Sequence, residues 1–126
     1  MIPLGTAWPQ GNRFERQGRL PEAEARFAQA LKLDPANAEI WINLGATRYA
    51  GGHWPDAAQA FKRAIELAPD NATGYYDLAL CALQDGHAPE GKALLRQALE
   101  VEPEHRGARE ELRKIEQVDA RGGSPL

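Results

Sequence analysis

Residues 52–69 read GHWPDAAQAFKRAIELAP, a glycine, a proline three residues later, a run of alanines and large apolar residues, and a closing proline. The same punctuation stands 34 residues earlier in GRLPEAEARFAQALKLDP (18–35) and 34 residues later in GHAPEGKALLRQALEVEP (86–103). Gly18, Gly52 and Gly86 align, as do Pro21, Pro55 and Pro89, and Pro35, Pro69 and Pro103. A fixed period of this length marks stacked supersecondary units rather than one irregular core. Each unit has two apolar faces that a single hairpin cannot bury, so the units need one another.

One full period, residues 38–71, shows how the pattern works. Asn37 can cap a first helix by accepting a backbone N–H. Ile40, Trp41, Leu44 and Thr47 share one side of it at helical spacing. Gly51-Gly52 stops it, because glycine tolerates the left-handed conformation of many C-terminal caps. Pro55 suits the first turn of a second helix, where its missing N–H costs nothing. Ala57, Ala58, Phe61, Ala64, Ile65 and Leu67 give that helix its buried side, and Pro69 forces its exit. Gly45 and Ala57 are small enough for the two helices to approach closely, with Phe61 filling the space beside them.

Trp41, Leu44, Gly45, Ala57, Phe61, Ala64 and Pro69 fall where tetratricopeptide (TPR) repeats place their signature residues, and the period resembles that family. Arg48 occupies the slot of the usual tyrosine, with its stem expected on apolar surface and its head in water. Residues 4–37 match at Gly11, Phe14, Ala23, Phe27, Ala30 and Pro35, with Ala7 and Gln10 in place of the tryptophan and leucine. Residues 72–105 match at Tyr75, Leu78, Ala79, Leu95, Ala98 and Pro103, with Gly91 and Ala82 in place of alanine and tyrosine.

The resemblance implies an all-α fold, a right-handed α-solenoid of three helix-turn-helix hairpins with a solvating helix at its end. The expected helices are 8–17, 21–33, 38–50, 55–67, 72–84, 89–101 and 106–119. Residues 1–7 are expected to be irregular, residues 8–119 to form the TPR domain (repeats about 4–37, 38–71 and 72–105, capping helix 106–119), and residues 120–126 to be a flexible tail. Pro9, Gly5 and Gly11 weaken the first helix, so it should begin near Trp8 or Pro9. Its uncovered edge either frays or docks on another chain.

In TPR arrays the first helices of successive hairpins line the concave side. By register, the groove would then present Trp8, Asn12, Ile42, Asn43, Tyr49, Tyr76, Asp77, Leu80 and Leu83, with Glu110, Glu111 and Lys114 from the closing helix. That lining is apolar and aromatic for a surface, and exposed patches of this kind usually contact something. The competing reading packs these side chains into the helix stack. A subgroup of the family clamps the EEVD tail of heat-shock chaperones with two asparagines and three basic residues. Asn12 and Asn43 match the asparagines, but Trp8, Thr73 and Asp77 stand where the basic residues belong, and Asp77 would repel a carboxylate. The expected partner is therefore a protein or peptide segment that is apolar and carries basic residues near Asp77, Glu110 and Glu111. The alternative is a self-assembling unit, a homo-oligomer joined through the N-terminal edge or the groove.

Other functions lack their residues. The net charge is −3, and Lys and Arg alternate with Asp and Glu rather than clustering, so nucleic acid is not an expected partner. The longest apolar run, Leu78 to Leu83, is too short for a bilayer, and Met1 to Thr6 lacks the basic start of a leader, so no membrane partner is expected. The single cysteine, Cys81, cannot form an internal disulfide and is expected to be a small core residue; it fits a reducing compartment, and the expected location is the cytoplasm. His53 and His87 repeat at one turn position, and neither HxxxH nor CxxC spacing occurs. No cofactor, metal or catalytic activity is expected.

Overall fold

A computed structural model of the chain describes residues 9–121, with side chains from residue 19 onward. Six helices follow one another: α1 (Pro9–Leu33), α2 (Ala38–Ala50), α3 (Trp54–Leu67), α4 (Ala72–Gln84), α5 (Ala88–Val101) and α6 (Arg106–Ala120). Among the described residues there is no strand. Each helix packs on the next in sequence, and α2 also touches α4, so the described residues form an all-α solenoid. No helix among the described residues is long and apolar enough to cross a membrane.

The caps and turns explain the boundaries of α2 to α5. Asn37 accepts from Glu39 N and Ile40 N at 3.0 and 3.2 Å, and Asn71 accepts from Thr73 N at 3.0 Å. Gly52 and Gly86 both sit at φ +82°, a conformation that a Cβ disfavours. Each lets the following histidine reach back: His53 N–H donates to Arg48 O at 2.9 Å and His87 N–H to Ala82 O at 2.8 Å. These bonds satisfy carbonyls that the helix end leaves open. Pro55 and Pro89 then stand in the first turns of α3 and α5.

The first hairpin departs from expectation. Instead of helices at 8–17 and 21–33, α1 is one helix of 25 residues with Pro21 inside it. Gly18 is followed by Arg19 and Leu20, both strong helix formers. The later turns instead read Gly51-Gly52-His53 and Asp85-Gly86-His87. With no residue in the left-handed conformation, the chain runs on through the position where the other repeats reverse. Two hairpins, α2–α3 and α4–α5, are thus formed, and α1 stands where both helices of the first were expected. The expected irregular segment 1–7 and residues 122–126 of the expected tail lie outside the described residues.

The core is built from small residues around a few large ones. Phe61 and Leu95 are fully buried with Ala57, Ala60, Ala79, Ala98 and Ala108. A Cβ on Gly45 would come within 2.5 Å of Phe61 Cε1, so the phenyl ring uses the room that glycine leaves. Cys81 is buried beside Ala57, Phe61 and Leu78, in the core as expected. Arg48 departs from expectation: its Nε donates to Glu24 Oε2 at 3.0 Å and its Nη1 to Asp56 O at 3.1 Å. Rather than holding its head in water, it ties α1 and α3 to α2. Trp41 Nε1 donates to Pro35 O at 3.0 Å and fastens the α1–α2 connection.

Candidate functional site

The first helices of the hairpins, α2 and α4, adjoin each other, and α6 continues their face. The register of each helix decides what that face carries. On α2, Ile42 and Tyr49 are half-buried and Asn43 is exposed; on α4, Tyr76, Asp77, Leu80 and Leu83 are all half-buried. Trp8 lies outside the described residues. Asn12 falls in α1, with its side chain beyond what is described.

These residues are not equivalent. Ile42 and Tyr49 pack against the Phe61–Leu78–Cys81 cluster, and Tyr76 and Leu83 against the Ala79–Leu95–Ala98–Ala108 cluster. Leu83 is turned onto α5, where a Cβ on Gly91 would come within 2.6 Å of its Cδ2. The Tyr76 ring covers α6, with its Cζ 2.8 Å from where a Gly107 Cβ would stand. Leu80 belongs to no core cluster, and Asn43 leaves its side chain open, while its carbonyl accepts from Thr47 Oγ1 at 2.9 Å. Part of the expected stripe is therefore wall and core at once, and among the described residues Leu80 is its apolar member outside the core clusters.

One residue of this neighbourhood was not singled out from sequence. His105 caps α6, its Nδ1 accepting the Ala108 N–H at 3.1 Å, and its ring lies 4.8 Å from that of Tyr76, tilted by 41°. A signal was present: Asn37, Asn71 and His105 are spaced by the same 34-residue period, and all three are N-caps.

The electrostatics are set by burial. Desolvation pushes the Asp77 carboxyl up to about 6, and His105 opposes the rise. Tyr76 is raised as well, first by burial and then by Glu111, Asp77 and Tyr49, which places groups from α2, α4 and α6 around its hydroxyl. Burial, with Asp77 and Asp85 behind it, pushes the Cys81 thiol up to about 12, so it stays protonated near neutrality and is a poor nucleophile. On α6, Glu110 is held low chiefly by its hydrogen bond from Arg113, and Lys114 lies 3.6 Å from Glu111.

Clefts elsewhere have a different character. One of about 320 Å³ opens between α3 and α4 and the turn into α5, with Trp54, Lys62, Cys81 and His87 on its walls. Another, at the start of α6, is lined by Arg106 and by the ion pairs Arg109–Glu104 and Arg113–Glu110. Among the described residues no three His, Cys, Asp or Glu side chains gather as a metal-ligand set.

Two family models, both described as tetratricopeptide repeat, match residues 9–72 and 48–115. No curated protein matches the chain by sequence. Solved structures do. The first TPR domain of Spaghetti (RPAP3), bound to the HSP90 peptide SRMEEVD, is 25% identical, with 88% of each chain covered and a TM-score of 0.76. The first TPR domain of human RPAP3, determined by NMR, is 24% identical over 93% of this chain and 92% of its own, with a TM-score of 0.78. The Yersinia enterocolitica type III secretion chaperone SycD, in complex with a peptide of the translocator YopD, is 22% identical over 84% and 80%, with a TM-score of 0.69.

Proposed function

We propose, for a chain that belongs to the tetratricopeptide repeat family, that it is a non-catalytic protein-interaction module whose α2–α4–α6 face takes up a peptide segment or helix of a partner protein. The observation that carries this reading is the run of half-buried Ile42, Tyr49, Tyr76 and Leu80 along adjacent helices, the first three held in place by packing on the core. Rigid aromatic side chains with an apolar body and a polar tip suit an interface. The RPAP3 domain bound to the SRMEEVD peptide supports the same use of the fold. The chemistry of the bound segment differs, however. An acidic tail would meet the Asp77 carboxylate at a place where it needs a cation, so a partner of another charge is favoured.

The test is capture from a lysate of the source cell on the immobilised chain, run beside a Leu80→Ser, Asn43→Ala variant. Bands retained by the parent and lost by the variant are the expected result. Bands common to both would assign binding to another surface. Light scattering over a wide concentration range checks the self-assembly alternative: a monomer leaves the face open to a foreign segment, and a tight dimer gives it to a second copy.

A further inference from the structure

We infer that the segment taken up by the α2–α4–α6 face sets an arginine or lysine side chain against Asp77, between the tyrosine rings and among apolar neighbours. The inference rests on the groove reading above and adds the chemistry of the occupant.

Several charges around this face are paired within the chain, and Asp77 is not among them. Glu110 accepts both its bonds from Arg113 at 2.8 Å, Glu111 lies 3.6 Å from Lys114, and Arg48 is drawn away to Glu24 and the Asp56 carbonyl. Glu110 and Glu111, near which basic residues of the partner were also expected, therefore already have cations of their own chain beside them. Among the described residues Asp77 has neither an ion pair nor a side-chain hydrogen bond, and its carboxylate oxygens are not sealed from the surface. The group nearest to serving as its cation is His105. That ring already uses Nδ1 to accept the Ala108 N–H at 3.1 Å, and no hydrogen bond or ion pair joins it to Asp77 among the described residues.

The surroundings suit an organic cation. Tyr76 precedes Asp77 and is fixed by Gly107 and His105, while Tyr49 approaches from α2. Aromatic faces attract a guanidinium or ammonium and cover the methylenes that lead to it. Leu80 lies one turn further along α4 and offers an apolar seat for a neighbouring side chain of the same segment. A half-buried carboxylate without a counter-ion is a costly thing to keep for packing alone. It becomes favourable when a ligand supplies the missing charge, and burial of Asp77 at about 6 agrees with that geometry.

A phage-displayed random peptide library, panned on the full chain, tests the inference. Recovered sequences should share one fixed Arg or Lys between apolar positions. Changing that residue to Gln, or Asp77→Asn in the protein, should each weaken binding about tenfold, and the two together no further, since both delete one interaction. Asp77→Lys should turn the selection toward Asp and Glu. Binders that depend on Leu80, being lost in Leu80→Ser, yet show no basic preference would overturn the cation anchor and leave the groove reading intact. So would losses that multiply in the double change. Binders indifferent to Leu80→Ser, or no binders at all, would overturn both. Circular-dichroism melts of each variant separate lost binding from lost folding.

Discussion

Asp77 carries a stability cost whose sign follows from its titration. Its carboxyl ionises near 6 in the folded chain, against an ordinary value of 3.8, with His105, Tyr76 and Cys81 as the titratable groups coupled to it. Between those values the unfolded chain has already given up the proton that the folded chain still holds. Stability from this residue is therefore fullest below the lower value and falls as pH rises through about 6. Asp77→Asn should remove that fall. Urea unfolding at pH 4, 5, 6 and 7 should find the variant more stable than the parent at pH 7, by about 1 kcal/mol after solvent screening, and the two converging at pH 4. Equal slopes in parent and variant would contradict the placement of the carboxylate. Gly45 makes a second case at this scale. Alanine is the better helix former by about 1 kcal/mol. A Cβ there meets the Phe61 ring, which has no room to retreat among Ala57, Leu78 and Cys81. Gly45→Ala should therefore destabilise by about 1–3 kcal/mol in thermal unfolding.

At the level of elements, α2 to α5 were legible because each boundary has a local chemical cause. An asparagine cap, a glycine at positive φ and a proline in the first turn recur at fixed spacing, and each acts within a few residues of itself. The first hairpin was not legible for the same reason. Gly18 and Pro21 occupy the right positions, but Arg19 and Leu20 between them do not favour a reversal, and the period alone could not weigh that. Arg48 was misread because its partners come from other helices: nothing along α2 announces Glu24, 24 residues away. That contact is what joins α1 to the hairpin that follows. Side-chain exposures of 23% for Arg48 and 40% for Glu24 make it a partly sheltered pair rather than a surface one. Arg48→Ala should loosen α1 by about 1 kcal/mol. In hydrogen exchange, amides of residues 22–33 should then exchange several-fold faster, with α4 and α5 unchanged. Uniform acceleration across all helices would show that the pair supports the whole stack instead.

For the whole molecule, contacts between successive helices carry nearly all the packing, so damage at the centre and damage on the open face should differ in kind. The sequence register could name the residues that line α2 and α4. It could not rank them, because the ranking depends on gaps left by other helices. Gly91 draws Leu83 inward and Gly107 receives Tyr76, whereas among the described residues no glycine makes room for Leu80. Phe61 and Leu80 therefore make a paired experiment. Phe61 is 2% exposed and touches both hairpins through Gly45, Leu78 and Cys81, so Phe61→Ala opens a cavity at the joint. The expected loss is about 3–5 kcal/mol, a large share of the roughly 5–15 kcal/mol typical of a domain, and the melting temperature should fall by about 10 °C or more. Leu80→Ser removes a half-exposed side chain that no core cluster contains, so the melting curve should move by only a few degrees while peptide capture falls about tenfold. If Leu80→Ser instead melts as low as Phe61→Ala, then Leu80 is part of the joint, and the face has no open apolar seat to offer a partner.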